Sequence, residues 1–193
     1  MSGTGERIEG FIEATRAHTD QAGFVAAFPH PFLVREATTA GEPPAPAQDR
    51  RTARVSRVAA PVGDDFARQD VWIYRVRPRG PDAAGPVTLG RDEACDVVVD
   101  DPTISLRHAR FTRAPGDAAD HDADHDGPRY LVADLGSSNG TFVDGAPAPA
   151  ETPVALDDQD GVRFGPQVKF QFFTAGGFFQ FLDFYRRIKK RGT

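Results

Sequence analysis

Four short motifs in the second half of the sequence carry the residues with the greatest chemical potential. They are LGR at 89–91, ISLRHAR at 104–110, DLGSSNGTFVDG at 134–145 and LDDQDGVRFG at 156–165. Arg91 offers a planar fork of donors that suits a phosphate group, Ser105 adds a hydroxyl donor and Arg107 adds a second cation. The GSSNG segment supplies hydroxyls, an amide and flexible backbone. These residue types favour a small anion site that binds an extended peptide, and none of them stands out as a general base.

Short β-like runs separated by turn residues surround these motifs from about residue 70 onward. The runs are VWIYRVR, PVTLG, DVVVD, HARFTR, RYLVADL, GTFVDG, TPVAL, GVRFG and VKFQFFT. Many short strands with no helical pattern between them predict an all-β sandwich. Because the loops of a sandwich cluster at its two ends, motif residues that are far apart in sequence can meet there.

The rest of the sequence predicts helices at both ends and a linker. The predicted parts are a helical N-terminal extension (1–36), an Ala/Pro-rich linker (37–68), the β domain (69–174) and a C-terminal amphipathic helix (175–193). Pro29 and Pro31 exclude one continuous helix in the first part. The linker is poor in large apolar groups and cannot bury enough surface to offset its ordering entropy.

The aromatic residues of the two ends need cover from solvent. Phe178, Phe181, Leu182 and Tyr185 form one stripe of the C-terminal helix. The N-terminal part offers an apolar set of its own, comprising Phe11, Phe24, Phe28, Phe32 and Leu33. We expect the two sets to pack on each other and on the outside of the sandwich, because soluble monomers avoid large exposed apolar patches.

Composition excludes several classes of protein. The chain has 193 residues, one cysteine and a net charge of −5. An acidic balance disfavours nucleic-acid binding, which needs surplus cations, and no apolar run is long enough to span a membrane. The lone Cys95 excludes an internal disulfide and a cysteine-based zinc site. The N-terminus lacks the pattern of a signal peptide, so a cytoplasmic location is expected.

The order of the motifs resembles the forkhead-associated (FHA) domain, of the bacterial type, over roughly residues 70–174. The shared features are GR, then S-x-x-H, then GSSNGT, then a Val-Asp-Gly turn. The resemblance implies an FHA-type β-sandwich of about eleven short strands that binds phosphothreonine peptides and has neither catalytic activity nor a cofactor. It assigns phosphopeptide binding to Arg91, Ser105, Arg107, Ser138 and Asn139. It assigns structural roles within the motifs to Gly90, His108, Gly136 and Gly140.

The resemblance therefore predicts a signalling adaptor that acts downstream of a Ser/Thr protein kinase. Its partners would be a phosphothreonine-containing protein or peptide and the kinase. One position departs from the family pattern: Leu106 follows Ser105, where the family usually has Arg, Lys or Asn in contact with the ligand. This departure suggests the alternative of a phosphorylation-independent interaction module on the same fold.

Two further patterns suggest other chemistry and are set aside. A triad of Ser137 or Ser138 with His108 and Asp134 has no nucleophile elbow or oxyanion hole beside it, so no enzyme is predicted. The Asp/His run at 117–127 begins like a calcium loop, with Asp122, Asp124, Asp126 and Gly127. Its twelfth position, which needs Glu or Asp, is Ala133. We interpret the run as a flexible acidic loop and predict no metal site.

Overall fold

A computed structural model describes residues 5–36, 70–80, 85–114 and 129–191. The predicted linker at 37–68 and the Asp/His run at 117–127 lie outside the described residues. The strands are β1 (Glu6–Arg7), β2 (Phe32–Glu36), β3 (Val71–Arg75), β4 (Val87–Gly90), β5 (Val97–Val98), β6 (Ala109–Arg113), β7 (Tyr130–Asp134), β8 (Thr141–Val143), β9 (Ala146–Ala148), β10 (Val154–Leu156), β11 (Gly161–Phe164) and β12 (Val168–Phe173). The helices are α1 (Ile8–Ala14), α2 (Gln21–Ala27) and α3 (Ala175–Arg191).

The strands form two sheets, as the sequence predicts. One sheet has seven strands in the order β1-β3-β2-β12-β11-β8-β9, and the other has five in the order β10-β7-β6-β4-β5. The strand pairs are antiparallel except β4 with β5. The all-β prediction is confirmed, with twelve strands in the described residues instead of about eleven.

Alternation along the strands produces two separate cores. Successive side chains of a strand point to opposite faces of the sheet. In β3, Tyr74 packs in the core between the two sheets, whereas Val71 and Ile73 pack in a second core on the outer face. In β12, Phe172 belongs to the first core and Phe173 to the second. These strands are therefore apolar on both faces, which explains their nearly continuous apolar sequence.

The second core holds both ends of the chain against the seven-stranded sheet. Its buried members are Ile8, Phe11, Phe24, Phe32, Val34, Val71, Ile73, Phe173, Phe178, Leu182 and Tyr185. The rings of Phe32 and Phe178 stack with centroids 4.0 Å apart. At the surface, Glu9 accepts hydrogen bonds from Lys189 Nζ (2.7 Å) and the Tyr185 hydroxyl (3.1 Å). The predicted packing of the two ends on each other and on the sandwich is confirmed.

The N-terminal segment is not helical throughout, which corrects the prediction for residues 1–36. After α1 and α2, strand β2 lies between β3 and β12 in the middle of the seven-stranded sheet. Leu33 pairs in register with Tyr74 and Phe172 and faces the core between the sheets, not the outer cover that we expected. Pro29 and Pro31 prevent the helix from continuing, and a run of large apolar residues can then be buried on both faces of a sheet. The domain boundaries as such stay a prediction.

Candidate functional site

A groove of about 460 Å³ opens where three loops meet at one end of the sandwich. The loops follow β4, precede β6 and join β7 to β8. The groove is lined by Arg91, Pro102, Thr103, Ile104, Ser105, Leu106, Arg107, Gly136, Ser138 and Asn139. All five residues that the sequence analysis assigned to phosphopeptide binding are among them, so the fold brings them together. Their binding roles stay predictions.

Gly90, the last residue of β4, lets the first two loops touch. A Cβ atom at this position would lie 2.1 Å from the carbonyl oxygen of Leu106. With glycine there, the Arg91 N–H donates to the Ser105 carbonyl and the Asp92 N–H donates to the Leu106 carbonyl, each at 3.0 Å. The backbone of both loops is therefore fixed beside the groove, and Arg91 lies in the groove lining.

His108 connects the second loop to the third. Its Nδ1 accepts a hydrogen bond from the Ser105 N–H at 3.1 Å, so the ring proton lies on Nε2, which donates to the Gly140 carbonyl at 3.1 Å. Burial lowers the pKa of His108, although the bond to Gly140 and the charge of Asp134 act in the opposite direction. The neutral ring thus holds Ser105 in place through its backbone.

The carboxylate of Asp134 holds the third loop in place through hydrogen bonds. It accepts hydrogen bonds from the Ser137 N–H (2.8 Å), the Ser137 hydroxyl (2.6 Å) and the Thr141 hydroxyl (2.7 Å). Burial alone raises the pKa of Asp134, but these bonds outweigh it and hold the pKa below its ordinary value. Gly136 and Gly140 have φ of 71° and 75°, the left-handed region that glycine enters without a steric cost.

Two hydrogen bonds orient the polar side chains at the floor of the groove. The Ser138 N–H donates to Ser105 Oγ at 3.1 Å, which leaves the Ser105 hydroxyl proton free to donate elsewhere. Asn139 Nδ2 donates to the Thr103 carbonyl at 2.8 Å, which leaves the carboxamide oxygen as an acceptor. Thr103 is itself held by Asp101, which accepts from its N–H (3.0 Å) and its hydroxyl (2.6 Å).

The groove carries positive charge. Arg91 and Arg107 are exposed, and no acidic residue is among the described residues that line the groove. The ion pairs found in the described part of the chain involve neither arginine. Two cations with hydroxyl and amide donors between them suit a phosphate dianion, which accepts several hydrogen bonds at once.

The geometry does not support the serine triad. Ser137 Oγ donates to Asp134, and both ring nitrogens of His108 are engaged by backbone groups. A histidine in this arrangement cannot take a proton from a serine hydroxyl. Within the described ranges no cluster of His, Cys, Asp or Glu could hold a metal ion, and no helix there is long and apolar enough to cross a membrane.

Sequence analysis missed three residues that shape this site. Thr103 anchors Asn139, and Asp134 anchors the turn that carries Ser138. Gly165, with φ of 63°, donates its N–H to the Gly140 carbonyl and approaches the Thr103 carbonyl. An Asp three residues before a serine in a glycine-containing turn is a recognisable local signal. No local sequence signal marks the contacts of Thr103 and Gly165, because their partners lie far away in sequence.

Comparisons with known proteins agree with this architecture. The sequence model of the FHA domain matches residues 87–165. An oxoglutarate dehydrogenase inhibitor of Corynebacterium jeikeium is 33% identical over 114 residues, which are 55% of this chain and 68% of that protein. The chain belongs to the FHA domain family. FHA domains are protein-interaction modules known for binding phosphothreonine peptides.

Other proteins are similar to this chain over part of its length. Human kanadaptin is 38% identical over 78 residues, but this chain covers only 10% of its length. The oxoglutarate dehydrogenase inhibitor of Corynebacterium diphtheriae is 34% identical, and the chain spans about half of it, at 55%. The yeast Dun1 FHA domain, solved with a doubly phosphorylated (pT) peptide, has 20% identity and a TM-score of 0.46. That match covers 76% of each chain.

Proposed function

We propose that this FHA protein is a non-enzymatic cytoplasmic adaptor that binds phosphothreonine peptides produced by a Ser/Thr protein kinase. One observation carries the proposal: Arg91, Arg107, Ser105, Ser138 and Asn139 line a single groove that contains no acidic residue among those described. A phosphate group compensates the two exposed cations and accepts from the nearby hydroxyls. The family supplies the class of ligand.

Each group in the groove has a distinct role in the proposed recognition. Arg91 and Arg107 neutralise the phosphate, and the hydroxyl protons of Ser105 and Ser138 donate to its oxygens. Asn139 offers its free carboxamide oxygen to an N–H of the peptide main chain, since its Nδ2 already donates to a carbonyl of the protein. Charge-assisted hydrogen bonds contribute about 1.5–3 kcal/mol each. Losing Arg91 should therefore weaken binding by roughly ten- to a hundredfold.

The test is a titration of matched peptides against the full chain. A phosphothreonine peptide selected from a degenerate library and its unphosphorylated form are titrated against wild type, Arg91→Ala and Arg16→Ala. Arg16 is an exposed arginine that pairs with Glu13 and does not line the groove, so its loss should leave affinity unchanged. The proposal fails if phosphorylation does not increase affinity, or if the two arginine variants bind alike.

A second candidate is phosphorylation-independent binding by the same groove. One observation favours it: Leu106 stands where the family usually has a ligand-contacting polar or basic residue. The corynebacterial relatives are named as inhibitors of oxoglutarate dehydrogenase, which makes that enzyme a partner to test. A measurement of oxoglutarate dehydrogenase activity with added full chain, wild type or Arg91→Ala, tests it. Inhibition that is equal for both proteins, with no preference for phosphorylated peptides, would favour this candidate over the first.

A further inference from the structure

Leu106 is the single exposed large apolar side chain among the described residues, with 56% of its surface exposed. It lies in the wall of the groove between Ser105 and Arg107. The other large apolar side chains of the described residues are buried or half-buried. An exposed leucine in a groove lined mostly by polar residues is therefore a feature that packing among the described residues does not explain.

The backbone of Leu106 is held in place, so the leucine stays beside the groove. Its carbonyl oxygen accepts from the Asp92 N–H at 3.0 Å and from the Cys95 thiol at 3.3 Å. The same oxygen fills the space in which Gly90 lacks a side chain. Since Ser105 and Arg107 on either side also line the groove, the leucine presents an apolar surface next to the cations.

We infer that Leu106 selects phosphothreonine peptides that carry a large apolar side chain close to the phosphothreonine. The inference rests on the proposed function and adds a specificity determinant to it. Leu106 directly follows Ser105, so its Cα lies about 3.8 Å from the Cα of Ser105, whose hydroxyl would donate to the phosphate. An extended peptide advances about 3.3 Å per residue. The complementary side chain therefore lies within about three residues of the phosphothreonine.

The occupant is apolar because a polar side chain at this place gains nothing from Leu106 and loses water. An aliphatic or aromatic side chain that covers the exposed part of a leucine removes apolar area from water on both partners. Partial burial of one such pair corresponds to about a five- to tenfold gain in affinity. This gain is independent of the phosphate charge and should persist at high salt, which screens the exposed arginines.

The experiment combines substitutions in the peptide with substitutions of Leu106 in the protein. Every peptide has one phosphothreonine at a fixed position. A peptide with serine at each of the three positions on either side is compared with six peptides that each carry one leucine. All are titrated against wild type, Leu106→Ser and Leu106→Met. We expect one position at which leucine binds about five- to tenfold more tightly to wild type, no such gain with L106S, and recovery of the gain with L106M.

The outcomes separate this inference from the function on which it rests. Phosphorylation-dependent binding with no leucine position that responds to Leu106 overturns the inference and leaves the proposed function intact. Absence of any phosphorylation effect with wild type overturns both. Because Leu106 is exposed, L106S should unfold at the same urea concentration as wild type, and this measurement excludes an effect through misfolding.

Discussion

Replacing Gly90 with alanine tests how far the groove depends on one close backbone approach. The new Cβ would lie 2.1 Å from the Leu106 carbonyl oxygen, 2.8 Å from the Leu106 carbonyl carbon and 3.0 Å from the Arg107 Cα. These neighbours are backbone atoms, which cannot rotate away as a side-chain end can. To restore ordinary contact, the loop that carries Ser105 and Arg107 must move by more than an ångström relative to β4.

The expected cost follows from the contacts that this movement breaks. The Arg91–Ser105 and Asp92–Leu106 backbone hydrogen bonds, both 3.0 Å, span the displaced interface. Each contributes about 0.5–1.5 kcal/mol, and overpacking of a close contact typically costs about 1–3 kcal/mol. We therefore expect Gly90→Ala to lower the free energy of unfolding by about 2–6 kcal/mol. Affinity for a phosphothreonine peptide should also fall, because Arg91 and Ser105 lose their relative position.

The assay combines urea unfolding with a peptide titration. Trp72 is the sole tryptophan of the chain and packs against the core between the sheets, so its fluorescence reports unfolding. Gly10→Ala is the matched control, because nothing lies within 4 Å of a Cβ at Gly10. Alanine in place of this helical glycine should raise stability by up to about 1 kcal/mol and leave binding unchanged.

The reasoning is refuted by a specific result. If Gly90→Ala changes the unfolding free energy by less than about 0.5 kcal/mol, within the range of ordinary surface substitutions, the close approach does not constrain the loop. Wild-type affinity for a phosphothreonine peptide in a stable Gly90→Ala protein would contradict the view that this contact sets the groove.

Three further substitutions probe the rest of the molecule by urea unfolding. Burial lowers the pKa of His30 to about 4, whereas the pKa of an unfolded histidine is about 6.5. As pH falls from the second value to the first, the free energy of unfolding of wild type should fall by up to about 3 kcal/mol relative to that of His30→Gln. Parallel pH profiles of the two proteins would contradict this. Asp134→Ala leaves both donors of Ser137 unpaired and should cost about 3 kcal/mol or more; a smaller loss would mean that water replaces the carboxylate. Phe178→Ala removes a fully buried ring stacked on Phe32 and should cost about 3–5 kcal/mol, and a near-neutral result would show that α3 does not stabilise the sheet.

Exposed positions provide the controls for the last two substitutions. Glu13 is exposed and pairs with Arg16 on the surface, so Glu13→Ala removes a carboxylate without leaving a buried donor. Gln180 lies two residues after Phe178 on the exposed side of α3, so Gln180→Ala changes the helix without changing the core. Both should shift the free energy of unfolding by less than about 0.5 kcal/mol.

The sequence predicts which residues line the groove, because these residues belong to short local motifs. Arg91, Ser105, Arg107, Ser138 and Asn139 belong to short segments with turn residues beside them, and sandwich loops must meet at the ends of the strands. The structure places all five at one groove. The amphipathic stripe of α3 is likewise a local pattern, and its burial against the N-terminal helices follows from the need to cover it.

The hydrogen bonds that orient those side chains could not be predicted, because they join residues that are distant in sequence. Asn139 donates to a carbonyl of Thr103, 36 positions earlier, and His108 bridges to Gly140, 32 positions later. A carbonyl acceptor is present at every residue, so nothing in the residue type of Thr103 marks it as the partner. The orientation of the Asn139 carboxamide is therefore visible only in the folded chain.

Strand β2 shows the same limit at the level of the fold. Its residues lie before the predicted linker and outside the range matched by the FHA model, yet they pair with β3 on one side and β12 on the other. Phe32 points into the outer core and Leu33 into the core between the sheets. A fragment that begins after the linker would lose both contributions and leave β12 with β11 as its remaining neighbour. The groove must therefore be studied with the N-terminal segment present, because β2 is an interior strand of the seven-stranded sheet, and that sheet also contains β8, at the end of the third groove loop.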